Sequence, residues 1–407
     1  MPHVSQRAVE MPASPIRRLM PYAEAAKAHG TKIFHLNIGQ PDIESPAEFW
    51  KAIHNFSHRV VEYSHSAGIP SLRSRALQFY AERGIYLGEG QIMVTTAGSE
   101  AVRFALMACL NPGDEVIVPE PLYANYLGFA CESDVKVVPI TTRIENNFAL
   151  PDTEEFARRI SPKTKAIMIC NPGNPTGTIY DRPQLEELAG IVKKNDLFLI
   201  ADEVYREFNY SGVDMPSVLQ LADLEAHAVM IDSVSKRYSL CGARIGFLAS
   251  RNSDVMSAAL RFGQARLAPP TIEQVGVEGA LETPQTYFDQ VREEYRARRD
   301  LLVSELRSMN GVVCPNVDGA FYATVRLPID DCDRFCQWLL EEFSYQGKTV
   351  MLAPGTGFYE TEGLGKDEVR IAYVLHRGDL REAMECLRHA LATYPGRTVD
   401  QAAAVVF

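Results

Sequence analysis

Ala228-Val229-Met230-Ile231-Asp232-Ser233-Val234-Ser235-Lys236-Arg237-Tyr238-Ser239-Leu240-Cys241-Gly242-Ala243-Arg244-Ile245-Gly246-Phe247-Leu248-Ala249 carries one lysine between two short apolar runs. The runs at residues 228–231 and 245–249 have the length and branching of buried strands, which puts Lys236 on a loop leaving the carboxyl end of the first. An ammonium group held there, partly desolvated and near a second cation such as Arg244, loses its proton easily and becomes a nucleophilic amine able to form an imine. Ser233, Ser235 and Arg244 supply the hydroxyl donors and charge that hold a phosphate. Most lysines beside an arginine are merely solvated, so the segment alone does not settle the matter and its neighbours decide.

Those neighbours repeat one pattern. Strand-like runs at residues 91–96, 115–118, 135–140, 165–170 and 197–201 alternate with helical patterns at 97–106, from 123 onward, 153–160 and 182–195. Such alternation, with apolar and β-branched strands, predicts an α/β fold: a mostly parallel sheet covered by helices on both faces. Ligands of such sheets sit beyond the carboxyl ends of the strands. The unusual residues fall there: Asn171-Pro172-Gly173-Asn174-Pro175-Thr176-Gly177, then Asp202-Glu203-Val204-Tyr205, then residues 233–236. At the other junction, Ala97-Gly98-Ser99-Glu100 opens a helix whose free N–H groups make an anion site, with a plain N-cap as the alternative.

Residues 1–46 comprise a proline-rich arm (Pro2, Pro12, Pro15, Pro21), an amphipathic piece at 22–29 and a strand at 32–38 that closes on Gly39-Gln40-Pro41-Asp42. Beyond Pro270 the pattern changes. Helical periodicity over residues 273–309 is long enough to bridge two bodies, and strands at 321–327, 350–352 and 369–373 mix with helices at 335–345 and 379–394. The expected division is an N-terminal arm completing part of the small domain (1–46), a large ligand-binding domain (47–285) and a smaller α+β domain (286–407). The tail at residues 398–407 ends apolar, with no signal for packing.

The bulk numbers bound the chemistry. A chain of 407 residues with 46% hydrophobic and 23% charged residues is a packed globular protein of two or three domains. Its net charge of −11 argues against nucleic-acid binding. The apolar runs are far shorter than the roughly 20 residues of a membrane span, and no signal peptide is evident. The eight cysteines form no C-x-x-C pair, which predicts reduced thiols in a cytoplasmic protein; Cys332 and Cys336 lack a histidine cluster, so no metal site is expected.

Taken together, these motifs resemble the fold-type I, pyridoxal-phosphate-dependent aminotransferases of class I/II, the aspartate aminotransferase-like family. The resemblance runs from Asn37-Ile38-Gly39-Gln40-Pro41-Asp42 to Val369-Arg370-Ile371. It implies pyridoxal 5′-phosphate bound to Lys236, with Asp202 on the ring nitrogen and Asn174 and Tyr205 on the phenolic oxygen. Tyr123 is implied on the ring face. Gly98, Ser99, Glu100, Ser233, Ser235 and Arg244 are implied around the phosphate, with Tyr63 reaching it from the neighbouring subunit of an obligate homodimer. Arg370 is implied to grip the substrate α-carboxylate, and Gly39 to contact it through its main chain. The implied reaction moves an amino group from an amino acid to a 2-oxo acid by ping-pong kinetics, Lys236 serving as anchor and general base.

Specificity is less legible. Ser99 stands where one aspartate-preferring subgroup has a lysine, and Arg266 lies near where another offers an arginine across the dimer interface. Arg266 is therefore a candidate for a dicarboxylate side chain, and a helix-end arginine is its alternative. The resemblance favours an aspartate- or glutamate-like amino donor; a β-lyase or ring-forming synthase would keep the same lysine, aspartate and phosphate cup, and a broad or aromatic-specific transferase is a further alternative. Ser233-x-x-Lys236 also has the spacing of penicillin-binding serine enzymes, but no S-D-N, K-T-G or G-x-S-x-G accompanies it.

Overall fold

The computed structural model describes residues 2–398; residues 399–407 of the apolar tail lie outside them. Twelve strands form among the described residues: β1 (Lys32–His35), β2 (Ile92–Thr96), β3 (Glu115–Glu120), β4 (Lys136–Thr141), β5 (Thr164–Cys170), β6 (Phe198–Asp202), β7 (Ala228–Ser233), β8 (Ile245–Ser250), β9 (Tyr322–Arg326), β10 (Lys348–Met351), β11 (Ala353–Pro354) and β12 (Glu368–Ala372).

Seven of them build one sheet in the order β2-β8-β7-β6-β5-β3-β4. The strands from β7 to β4 run parallel. β8 runs antiparallel to both β7 and β2. The chain between β7 and β8 is too short for a crossover, so β8 must return in the opposite sense. All residues of β7 and β8 are buried, which is why these strands read as unbroken apolar runs rather than alternating ones. In register, Cys170 at the end of β5 faces Asp202 at the end of β6, so the loop carrying Asn174 emerges beside Asp202.

The second body holds an antiparallel sheet, β11-β12-β9, and the parallel pair β1–β10. The N-terminal strand thus joins the C-terminal part of the chain. Helix Gln285–Arg307 links the two cores: Phe288 packs with the large sheet, while Tyr295, Leu302 and Leu306 pack with β9 and β12.

Local differences from the sequence pattern have physical reasons. The periodicity at 273–309 is two helices, Thr271–Ala280 and Gln285–Arg307, because Pro284 starts the second. The helix expected at 335–345 runs Cys332–Glu341, capped by the Asp331 carboxylate. Helix Ser253–Arg266, capped by Asn252, had no counterpart in the sequence reading. Lys236 lies on a one-turn helix, Val234–Arg237, rather than a loop.

Candidate active site

β7 ends at Ser233, whose hydroxyl accepts from the Ser235 N–H at 3.2 Å and starts the one-turn helix bearing Lys236. The Lys236 ammonium is half-buried and donates to the Gly39 carbonyl at 2.8 Å. Residue 39 must be glycine for a steric reason. A Cβ there would lie 1.7 Å from the Tyr322 hydroxyl, so the ring of Tyr322 packs directly on that backbone. Tyr322 in turn shares a hydrogen bond with Tyr205 between hydroxyls 3.1 Å apart.

Asp202, at the carboxyl end of β6, is buried. Burial pushes its carboxyl up to about 6; the Tyr126 hydroxyl, donating at 2.7 Å, the Val204 N–H at 3.3 Å and Lys236 pull it back, while Asp232 adds to the rise. Among the described residues no arginine or lysine pairs with it.

The opposite end of the cavity is arranged for an anion. Helix Ala97–Cys109 starts immediately after β2, and its first residues, Ala97, Gly98 and Ser99, line the cavity together with Ser233 and Ser235, where a helix N-terminus favours an anion. This start sits hard against β8: a Cβ at Gly246 would lie 2.5 Å from the Ala97 carbonyl carbon and 2.7 Å from the Gly98 nitrogen. The hydroxyls of Ser233 and Ser235 are 2.9 Å apart. Arg244, in a left-handed conformation at φ 54°, donates to the Cys241 carbonyl and has no carboxylate partner among the described residues.

A third wall comes from the second body. Arg370 on β12 is 2% exposed and donates to Asn174 Oδ1 at 3.0 Å and to the Asn37 carbonyl at 2.6 Å. Its Nε has no hydrogen-bond partner among the described residues, and its guanidinium lies 4.5 Å from the centre of the Tyr322 ring and 4.8 Å from that of Phe358. Burial lowers its pKa, so an incoming carboxylate is its natural complement. Tyr123 stands edge-on to Tyr126 with ring centroids 5.3 Å apart, accepts a hydrogen bond from Asn125, and is pushed up to about 12 by burial.

The candidate residues named from sequence line one cavity of about 450 Å³, with three exceptions. Glu100 turns its carboxylate away, accepting from the Thr96 N–H at 2.7 Å and from Arg266 Nε at 3.0 Å. Arg266 is ion-paired with Glu100 within the chain and does not line this chain's own cavity; the part expected of it was across a subunit interface. Tyr63 is 82% exposed on the surface. Residues of the site given no role from the sequence include Arg17, Asn37, Tyr126, Tyr322 and Phe358. The G-A-F-Y run before β9 was the one local hint, an aromatic pair following a glycine turn.

Chemically, an unpaired acid, an amine, an anion cradle and a carboxylate-binding guanidinium around one cavity suit a flat phosphorylated heterocycle and an amino acid. No group of three His, Cys, Asp or Glu side chains able to hold a metal occurs among the described residues. No helix among them is long and apolar enough to cross a membrane.

A family model described as aminotransferase class I and II matches residues 31–387. The aspartate/prephenate aminotransferase of Thermus thermophilus is 31% identical over 366 residues, 88% of this chain and 91% of its own length. The aspartate aminotransferase of Thermotoga maritima is 31% identical over 384 residues, 94% of this chain and 97% of its own. The solved structure of a T. thermophilus aspartate aminotransferase single mutant superposes with a TM-score of 0.88 at 29% identity, over 96% of this chain and 100% of that one.

Proposed function

The chain belongs to the class I and II aminotransferases and is a transaminase, and we propose that it uses pyridoxal 5′-phosphate to move the amino group of an L-amino acid, dicarboxylic ones favoured, to a 2-oxo acid. The observation that carries this reading is the position of Lys236 in one cavity with Asp202 and Arg370, where, among the described residues, Asp202 forms no ion pair and Arg370 Nε has no partner. The cradle of Gly98, Ser99, Ser233, Ser235 and Arg244 fits the phosphate, and Asp202 fits a protonated ring nitrogen at the other end. The dicarboxylate preference is supported by the names of the relatives.

Bound at this site, pyridoxal phosphate supplies a carbonyl that takes up the substrate nitrogen and a ring that accepts the electrons left at the α-carbon. The chain's residues do the rest. Asp202, ionised above about pH 6, would hold a proton at the ring nitrogen. Asn174 and Tyr205 would donate to the phenolic oxygen, with Tyr205 held by Tyr322, and Tyr123 would lie against the ring. Arg370 binds the α-carboxylate through its planar fork, and its bonds to Asn174 and to the Asn37 carbonyl fix the plane of that fork. The substrate Cα–H bond is thereby fixed relative to Lys236. As a free amine, Lys236 would act as the general base that takes the substrate α-proton.

We further read the protein as a cytoplasmic homodimer in which Tyr63 reaches the phosphate of the neighbouring copy. The exposure of Val60, Val61, Tyr63 and Leu267 supports a covered face there, and the free state of all eight cysteines suits a reducing compartment.

Initial rates at several fixed concentrations of 2-oxoglutarate against varied L-aspartate test the reading. Parallel double-reciprocal lines with amino nitrogen conserved support it. Intersecting lines, or free ammonium in proportion to turnover, favour elimination and overturn it.

A further inference from the structure

The residues lining the cavity include four cations, Arg17, Lys236, Arg244 and Arg370, and one acid, Asp202. On the reading above Lys236, Arg244 and Arg370 have partners: the amine chemistry, the phosphate and the α-carboxylate. Arg17 has none. Its backbone N–H bonds to the Ser14 hydroxyl, while its side chain makes no hydrogen bond or ion pair among the described residues.

The segment around it is fixed residue by residue. Pro15 packs so closely on Gly357 that a Cβ there would meet its ring at 2.2 Å. Ile16 packs into a small cluster with Ala124, Ala353 and Phe358. Arg18 is ion-paired with Asp333, and Leu19 is buried in the core of the second body. Within this pinned run residue 17 alone keeps a charged side chain for the cavity. Phe358, which anchors Ile16, also lies 4.8 Å from the Arg370 guanidinium, so the segment enters the cavity beside the carboxylate-binding wall.

We propose that Arg17 is the specificity residue of this transaminase, binding the second carboxylate of dicarboxylic amino acids and 2-oxo acids whose α-carboxylate is on Arg370. The inference rests on the function proposed above and gives to Arg17, in place of Arg266, the dicarboxylate role. Arg17 is exposed until substrate enters, so screening keeps its contribution moderate, about tenfold in selectivity.

The test compares wild type, Arg17→Ala, Arg17→Lys and Arg266→Ala as holoenzymes. Two ratios are measured: kcat/KM for L-aspartate over L-alanine, and calorimetric affinity for succinate over butyrate. The expected result is a fall of about tenfold or more in both ratios for Arg17→Ala, with partial recovery in Arg17→Lys. Ratios within about twofold of wild type, a wild-type enzyme without dicarboxylate preference, or loss confined to Arg266→Ala would each overturn the assignment. A wild type that transfers no amino group from either donor sinks the proposed function instead, and the succinate–butyrate comparison still reads Arg17.

Discussion

Arg370 Nη1 donates to Asn174 Oδ1 at 3.0 Å, joining β12 of the second body to the loop that leaves β5 of the large sheet. The residue proposed to grip the substrate and one proposed to tune the ring oxygen are therefore a single unit across the cleft. Replacing the fork by a point charge, in Arg370→Lys, loses one of the bonds to Asn174 and Asn37 and the bidentate grip. Each charge-assisted bond is worth roughly 1.5–3 kcal/mol, so kcat/KM should fall by about 100-fold for every amino acid alike. Parallel assays with L-alanine and L-aspartate check this: a loss confined to one donor would contradict the role.

Gly39 and Tyr322 make a second coupling. In Gly39→Ala the new methyl would collide with the Tyr322 hydroxyl at 1.7 Å and its ring carbon Cζ at 2.3 Å. Tyr322 is buried and cannot swing freely, so the Tyr205–Tyr322 bond and the carbonyl facing Lys236 should both shift. The expected stability cost is about 1–3 kcal/mol, seen as a lower melting temperature, with at least about tenfold lower kcat/KM. A variant indistinguishable from wild type in both would refute the packing.

Asp202 gives a pH signature in the cofactor-free protein. Its folded pKa of about 6, set chiefly by burial, lies above the ordinary value of 3.8. The folded chain thus holds the proton more tightly than the unfolded chain. The associated stability is fully present below about pH 4 and is lost as pH rises to about 6, a difference of about 3 kcal/mol. Cofactor-free Asp202→Asn, which still accepts from Tyr126, should therefore be more stable than wild type at pH 8 and no different near pH 4. Its transamination should drop more than about 100-fold. Urea midpoints at the two pH values check the first statement, and a variant less stable at pH 8 would contradict it.

Much of the fold was legible because its signals are local. β5, β6 and β7 are continuous apolar runs bounded by polar loops, and the residues closing them, Asn174, Asp202 and Lys236, stand where a parallel sheet collects ligands. The sequence pattern missed what depends on distant partners. Tyr126 matters through Asp202, 76 positions away, and Tyr322 through Gly39 and Tyr205. Arg266 is paired with a carboxylate 166 positions distant, Glu100, which no periodicity reveals. Helix Ser253–Arg266 was missed because its buried face, Val255, Met256, Ala259 and Gly263, is narrow and small. The break before Gln285 was masked by strong helical periodicity on either side of one proline.

Everything above depends on one covalent site. Reduction of the purified, pyridoxal phosphate-loaded protein with borohydride, followed by peptide mass spectrometry, tests it most directly. The account predicts one stoichiometric phosphopyridoxyl group per chain, on Lys236, and its absence from Lys236→Ala. An adduct on another lysine, or none in a loaded and active protein, would contradict it.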